Sequence, residues 1–338
     1  MSVEKIKTLI IGGGQAGLAM SEHLTARGEP HLIVERYRIA ERWRSERWDS
    51  LVANGPAWHD RFPSREFSDI DPDSFASAAD IVDYFVGHAE RIKAPIRCGV
   101  EVTSLRRQAD GRGFRAETAA GAIEAENVVV ATGPFQRPLI PTLVPVDAGI
   151  VQIHSNAYRN PGQLPRGEVL VIGAGSSGAQ IADELLRAGK RVTLSVGPHN
   201  RPPRGYRGRD FVWWLGVLGL WDVEARDPAM EHVTIAVSGA YGGQTIDFRR
   251  FAARGMLLAG RAEAFREGVM HFAPDLAENL ARGDADLLSI LDSADAYAAR
   301  AGLDLPRDAD ARKVEPDPAC VLDPIRQLNL ADAGITSI

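Results

Sequence analysis

Ile11-Gly12-Gly13-Gly14-Gln15-Ala16-Gly17, behind the apolar residues 8–11, decides the fold. The spacing predicts a buried strand, a tight glycine turn and the start of a helix. In such a turn one glycine makes the bend, a second lets backbone approach a diphosphate, and a third lets the helix pack closely on the strand. The helix N-terminus then faces the anion. Ile172-Gly173-Ala174-Gly175-Ser176-Ser177-Gly178, behind residues 169–172, repeats the pattern. One copy is a weak signal; two in a chain of 338 residues predict two dinucleotide sites.

The flanking residues refine each site. A helix over 15–27 stops at Gly28, and residues 31–34 read as a second strand ending in Glu35. A carboxylate about 20 residues past the glycines is placed to bond both hydroxyls of a ribose. The second copy runs through a helix over 176–188 to a strand over 191–195 and ends in Ser195. A carboxylate there would repel a 2′-phosphate. Ser195, with Lys190, Arg191, Arg201 and Arg204 nearby, therefore tilts the second site toward NADPH, although NADH also fits beside a serine.

Composition sets the outer limits. With 45% hydrophobic and 25% charged residues the chain has the make-up of a soluble globular protein large enough for two domains. A net charge of −6 gives no basic footprint, so no nucleic-acid partner is expected. The first strand begins almost at the N-terminus, which leaves no room for a signal peptide and predicts a cytoplasmic protein. The longest apolar run, residues 211–221, is too short to span a membrane and reads as a buried helix or an aromatic wall. Cys98 and Cys320 form no CxxC pair, so disulfide-relay chemistry lacks a carrier, and no ligand spacing predicts a metal.

The fold class expected is α/β: two Rossmann-like dinucleotide-binding domains, residues 1–150 and 151–338, with a mostly helical insertion in the second at 206–312. Segment 40–63 interleaves Trp43, Trp48 and Trp58 with Arg42, Arg44, Arg47 and Arg61, as suits a loop closing over a flat ring and its phosphates. Beyond it the pattern predicts a helix over 81–92 and a strand over 97–105. A hairpin of 114–117 with 121–125 comes next, then a separate strand over 128–131 that ends on Thr132-Gly133-Pro134. A second hairpin is expected around 261–272.

These residues resemble the flavin-containing monooxygenase family, in its bacterial branch labelled as flavoproteins involved in potassium transport. The resemblance rests on the two fingerprints with Glu35, on Trp43-Arg44 and Arg47-Trp48-Asp49-Ser50-Leu51, on Ala131-Thr132-Gly133, and on His154-Ser155-Asn156-Ala157-Tyr158. Residues 195–201 and 207–210 are similar as well. It implies FAD in the first half and NADPH in the second. The cofactor-facing set is then Gly12, Gly14, Gln15, Ala16, Gly17, Glu35, Arg36, Trp43, Trp48, Val102, Ala131, Thr132 and Gly133 for FAD. For NADPH it is Gly173, Gly175, Ser176, Ser177, Gly178, Ser195, Arg201 and Arg204.

The implied activity is oxygenation of a soft nucleophile, a sulfide or amine, by a C4a-hydroperoxyflavin formed from O2. Asn54, in Asn54-Gly55-Pro56, matches the family asparagine near the flavin C4a and would bond the peroxide. Such chemistry resides mostly in the cofactor, so no acid–base triad is expected. The family's FxGxxxHxxx(Y/F) sequence is half present: His154 and Tyr158 fit, whereas Ala148 and Ile150 stand at the aromatic and glycine positions. Tyr158, where Baeyer–Villiger enzymes carry tryptophan, favours heteroatom oxygenation. Residues 328–338 correspond to the run into a last strand, after which the family continues for several dozen residues that complete the flavin domain. The chain ends at Ile338, so exposed strand edges and association, including homo-oligomers, are expected. Two other readings stand beside this one: an NAD(P)H-dependent flavin reductase or oxidase without oxygen insertion, and a truncated, non-catalytic nucleotide-binding protein.

Overall fold

The structure is a computed structural model that describes residues 3–109, 111–135, 137–146, 148–224 and 234–338. It divides into two compact units, Met1–Ala53 with Ala57–Pro138, and Asn54–Pro56 with Leu139–Ile338. The division falls at 138/139 rather than near 150. The reason is apolar: Leu143, Val144, Ala148 and Ile150 pack with Leu170, Met270, Phe272 and Ile335 of the second unit.

The first unit contains β1 (Val3–Ile11), α1 (Gln15–Ala26), β2 (His31–Glu35), α2 (Glu41–Ser45), α3 (Ala78–Arg91), β3 (Ile96–Cys98), β4 (Val102–Arg107), β5 (Phe114–Thr118) and β6 (Gly121–Val130). They form one sheet in the order β3-β2-β1-β6-β5-β4, parallel through β3, β2, β1 and β6 and antiparallel at β5 and β4. Alternate side chains separate its faces. Ile10 and Ile33 pack with Leu18 of α1 and with Ile81, Val82 and Phe85 of α3, while Leu9, Leu32 and Val34 pack with Ile123 and Ala125. Each such fully buried side chain contributes about 1.5–3 kcal/mol.

Two expectations change here. The hairpin strand and the strand over 128–131 are one strand, β6, whose Gly121–Ala125 half pairs β5 while its whole length lies parallel to β1. The strand over 97–105 is instead two, because Gly99 turns at φ +75° and sends β3 and β4 to opposite edges of the sheet.

The second unit contains β7 (Glu168–Ile172), α4 (Ser176–Arg187), β8 (Val192–Ser195), β9 (His199–Asn200), β10 (Gly205–Tyr206), β11 (Arg209–Asp210), α5 (Phe211–Val217), β12 (Thr234–Ile235), α6 (Phe248–Ala253), β13 (Leu257–Ala259), β14 (Ala262–Arg266), β15 (Val269–Phe272), α7 (Leu276–Arg300), α8 (Ala319–Leu322), β16 (Gln327–Asn329) and β17 (Ile335–Ser337). Its main sheet is parallel in the order β13-β8-β7-β17. The strand β13 lies inside the stretch expected as a mostly helical insertion, yet it is a structural strand of this sheet. Three apolar residues are too few to show a strand period. The hairpin of β14 and β15 forms as expected and gains β16 as a third strand. Part of that stretch, 225–233, lies outside the described residues.

The two glycine turns are built alike. Each precedes a twelve-residue helix. Gly28 and Gly189, at φ +67° and +77°, end α1 and α4 by the same closure. Gly28 and Glu29 donate to the carbonyls of Thr25 and Leu24, and Gly189 and Lys190 to those of Leu186 and Leu185. In both units the neighbour of the first strand on its other side arrives from far along the chain, β6 beside β1 and β17 beside β7. That is the switch point at which open α/β sheets hold ligands.

Candidate functional site

At the first turn the glycines divide their tasks. Gly12 sits at φ +117°, and a Cβ there would collide with the Ala131 carbonyl, where β6 leaves the sheet. A Cβ on Gly17 would collide with the Gly12 carbonyl, so helix and strand touch at that point. A Cβ placed on Gly14 would meet nothing within 4 Å. Backbone at Gly14 is therefore open to a large anion, and α1 starts there without a capping side chain. Gln15 and Ala16, in the first turn of α1, are exposed.

Glu35 closes one side of this cradle. Its Oε2 accepts from the Gly13 N–H at 2.6 Å and its Oε1 from the Tyr37 N–H at 2.9 Å. Each oxygen keeps a lone pair for a further donor such as a ribose hydroxyl. On the other side Ala131 donates its N–H to the Ile11 carbonyl at 2.8 Å, and the exposed Thr132 and Gly133 follow. Arg36 is exposed, with its guanidinium 4.7 Å from the Tyr37 ring centre and 3.6 Å from Glu101, and Val102 starts β4 half-buried. Trp43 is half-buried, with the Arg47 guanidinium 5.8 Å from its ring. Burial holds Arg47 below its ordinary pKa, and the Arg42 charge adds to that effect.

Trp48 departs from expectation. A side chain lining a cofactor site would show surface when the site holds no ligand, and Trp48 is only 5% exposed. It packs the interior instead.

The second turn is less open. Gly173 stands at φ +99° with nothing near a Cβ, and a Cβ on Gly178 would collide with the Gly173 carbonyl, as in the first turn. At Gly175, however, the Thr234 methyl occupies the position over the glycine, and Ser176 Oγ donates to the Ile235 carbonyl at 2.8 Å. Ser177 is exposed. These residues wall a cavity of about 810 Å³ with Leu139, Ile153, His154, Tyr158, Thr234, Ile235 and Ile338. The volume suits a small-molecule site, for which ~300–1,000 Å³ is typical.

Three residues assigned to NADPH are engaged elsewhere. Ser195 is 2% exposed, its hydroxyl donating to the Gly260 carbonyl at 2.9 Å and accepting from the Ala262 N–H at 3.0 Å. Arg201, 4% exposed, pairs with Asp247 at 3.2 Å and Asp284 at 2.5 Å. Asp284 also holds Arg249 at 3.0 Å, and Arg249 reaches Asp317 at 2.7 Å. His199, beside this network, is kept by burial below the ordinary imidazole pKa. Arg204 forks onto Asp210 through Nε at 3.1 Å and Nη2 at 2.5 Å. Desolvated guanidinium groups need such partners, and partners of this kind replace the expected phosphate.

Arg204 instead meets Asn54. Its Nη1 donates to the Asn54 main-chain carbonyl at 2.7 Å, while Gln180 Nε2 donates to Asn54 Oδ1 at 2.9 Å. Asn54–Pro56 thus belongs to the second unit although the residues on either side belong to the first. Gln180 has no counterpart in the sequence-level candidates.

A family model described as pyridine nucleotide-disulphide oxidoreductase matches residues 9–207. The chain belongs to that family. Among curated relatives, the "Uncharacterized oxidoreductase CzcO-like" of Geobacillus kaustophilus is 40% identical over 221 residues, 64% of this chain and 62% of that protein. The indole-3-pyruvate monooxygenase YUCCA1 of Oryza sativa is 29% identical over 192 residues, 56% of this chain and 47% of that protein. The chain therefore matches less than two thirds of the length of these relatives. A solved flavin-containing monooxygenase from Stenotrophomonas maltophilia shares the fold at a TM-score of 0.60 and 22% identity, covering 80% of this chain and 74% of that one. Among the described residues no helix is long and apolar enough to cross a membrane.

Proposed function

We propose that the chain carries the FAD- and nicotinamide-binding machinery of a monooxygenase that oxygenates a soft nucleophile, a sulfide or an amine, with NADPH and O2. The observation that carries this reading is the first cradle, in which an open Gly14 backbone meets a Glu35 carboxylate clamped by two N–H donors. Those features fit the diphosphate and ribose of FAD. Gly12, Gly14, Gln15, Ala16, Gly17 and Glu35 would hold that end of the cofactor, with Trp43, Ala131, Thr132 and Gly133 beyond it.

When bound, the reduced flavin supplies the activation of O2. The chain's own residues orient and exclude: half-buried Trp43 and Arg47 shield the cofactor from water, and Asn54 offers a side-chain amide as hydrogen-bond donor. Gly173–Gly178 and the cavity beside them are the proposed nicotinamide-nucleotide site. Non-acidic Ser195 leaves the 2′-phosphate of NADPH unopposed, and NADH fits there too. A disulfide relay is not favoured, since Cys98 and Cys320 are both free and lie far apart in the sequence.

The test is oxygen uptake by the FAD-loaded protein with NADPH, with and without a small sulfide or tertiary amine. Uptake that rises with the acceptor and yields oxygenated product in proportion to NADPH is expected. NADPH oxidation that yields only hydrogen peroxide would favour a flavin oxidase instead.

A further inference from the structure

Two faces of α4 border two different cavities. Ser177, Gly178, Ile181 and Leu185 line the 810 Å³ cavity beside the second glycine turn, whereas Gln180, Asp183 and Arg187 line another of about 250 Å³. The smaller cavity lies wholly within the second unit, where Tyr241, Phe251 of α6 and Arg254 just past α6 complete its wall. Benzene enters an engineered cavity of about 150 Å³, so the space suits a small organic molecule.

Two guanidinium groups meet there at one carboxylate. Arg187 donates through Nε to Asp183 Oδ2 at 2.9 Å, and Arg254 through Nη1 to Asp183 Oδ1 at 2.6 Å. Each also rests on an aromatic ring, Arg187 at 3.9 Å from the centre of Tyr241 and Arg254 at 5.9 Å from that of Phe251. The planar forks are thus held before any ligand arrives, which lowers the entropic cost of engaging one. Among the described residues, both Nη groups of Arg187 and the Nε and Nη2 groups of Arg254 have no acceptor. The two side chains are 39% and 38% exposed, so these donors are within reach of a solute.

Tyr241 supplies an independent sign. It stands at φ +56° and ψ +35°, a conformation that a bulky residue rarely adopts, and it is 53% exposed. Burial of its ring does not account for that backbone. Strain of this kind gathers at ligand clamps.

Charge selects the ligand. Asp183 stands between the two arginines, and Asp247, which also lines the cavity, is engaged by Arg201 at 3.2 Å and by the Arg249 N–H at 3.0 Å. A dianion would face both carboxylates, whereas a single carboxylate matches the open edges of the forks. Ile246 and Phe251 offer apolar surface to the rest of the molecule.

We propose that this cavity binds a small monocarboxylic acid, held by Arg187 and Arg254 and clamped by Tyr241. The site is distinct from the proposed nucleotide cavity, and it stands whether or not the functional reading above holds.

The probe is benzoate, titrated by calorimetry into the purified chain at low salt. One-to-one binding is expected, weakened about tenfold or more in Arg187→Gln and in Arg254→Gln, each of which leaves Asp183 the other arginine as partner. Arg261→Gln, at an exposed arginine paired with Glu263 outside the cavity, should bind benzoate as the natural chain does. No binding, or equal affinity in all four proteins, would overturn the site. Inorganic phosphate binding more tightly than benzoate would overturn the ligand class.

Tyr241→Gly separates a clamp from a structural turn. Glycine adopts φ +56° without strain, so the melting temperature should not fall, while benzoate should bind severalfold more weakly. An unchanged affinity would remove Tyr241 from the site, and a lowered melting temperature would show that its conformation serves the fold.

Discussion

Gln180 and Asn54, 126 positions apart, meet through one hydrogen bond of 2.9 Å from carboxamide nitrogen to carboxamide oxygen, inside the unit that carries the second glycine turn. The bond gives the Asn54-Gly55-Pro56 loop a defined side-chain orientation. The neighbouring contact of Arg204 with the Asn54 carbonyl gives it a defined position.

Arg204 should therefore behave as a support and not as a phosphate ligand. Arg204→Ala strands Asp210 in a largely buried place, a change that costs about 3–5 kcal/mol. Thermal unfolding should show that loss, and affinities for NADPH and NADH should fall alike. A stable variant that loses NADPH alone would restore the phosphate assignment.

Two glycines of the first turn should respond in opposite ways. Gly17→Ala drives a methyl into the Gly12 carbonyl and should destabilise the cofactor-free protein by about 1–3 kcal/mol. Gly14→Ala meets nothing within 4 Å and should change that stability by less than about 1 kcal/mol, while sharply weakening FAD. Calorimetric unfolding with a flavin titration checks both; undiminished FAD binding by Gly14→Ala would mean that the diphosphate lies elsewhere.

Glu35→Gln leaves one acceptor oxygen where two N–H groups, Gly13 and Tyr37, now each have their own. The loss of a charge-assisted bond, about 1.5–3 kcal/mol, should appear as FAD affinity weakened by one to two orders of magnitude. Equilibrium dialysis would measure it, and an unchanged dissociation constant would remove Glu35 from the ribose.

Stability should fall on the acid side. Burial holds the His88 imidazole below its ordinary 6.5; Glu22 pulls against this and Arg65 and Arg91 add to it. Below about pH 6.5 the unfolded imidazole takes up a proton that the folded one refuses, so folding stability drops until the folded pKa is passed, and it is complete above that range. His88→Phe, which keeps a ring stacked on Phe62, should flatten part of the slope. His199, shifted the same way by burial, should retain the rest. Unfolding midpoints between about pH 5 and 8 check the sign, and a midpoint that rises on acidification would contradict it.

The geometry of the glycine turns and of Glu35 was legible in the sequence because it is local: the turn, the close approach of helix and strand and the carboxylate at the end of the second strand fall within one strand–helix–strand unit. The fates of Arg201 and Arg204 were not. They follow β8 closely and look like phosphate ligands, but their carboxylates lie on other elements, Asp284 being 83 positions from Arg201. Gln180 gave no sign of its role, since a glutamine on a helix is ordinary until Val237 and Asn54 are brought against it. Strand β13 was hidden by its length and β6 by its double pairing. In each case the missing information was a tertiary contact.

The most direct test of the account is the visible spectrum of the purified chain with FAD, taken first as bound, then with NADPH in the absence of air, then with air admitted. The account predicts a retained flavin that bleaches with NADPH and recovers in air, with oxygen incorporated into an added sulfide or amine. A chain that retains no flavin, or a flavin that NADPH does not bleach, would contradict it.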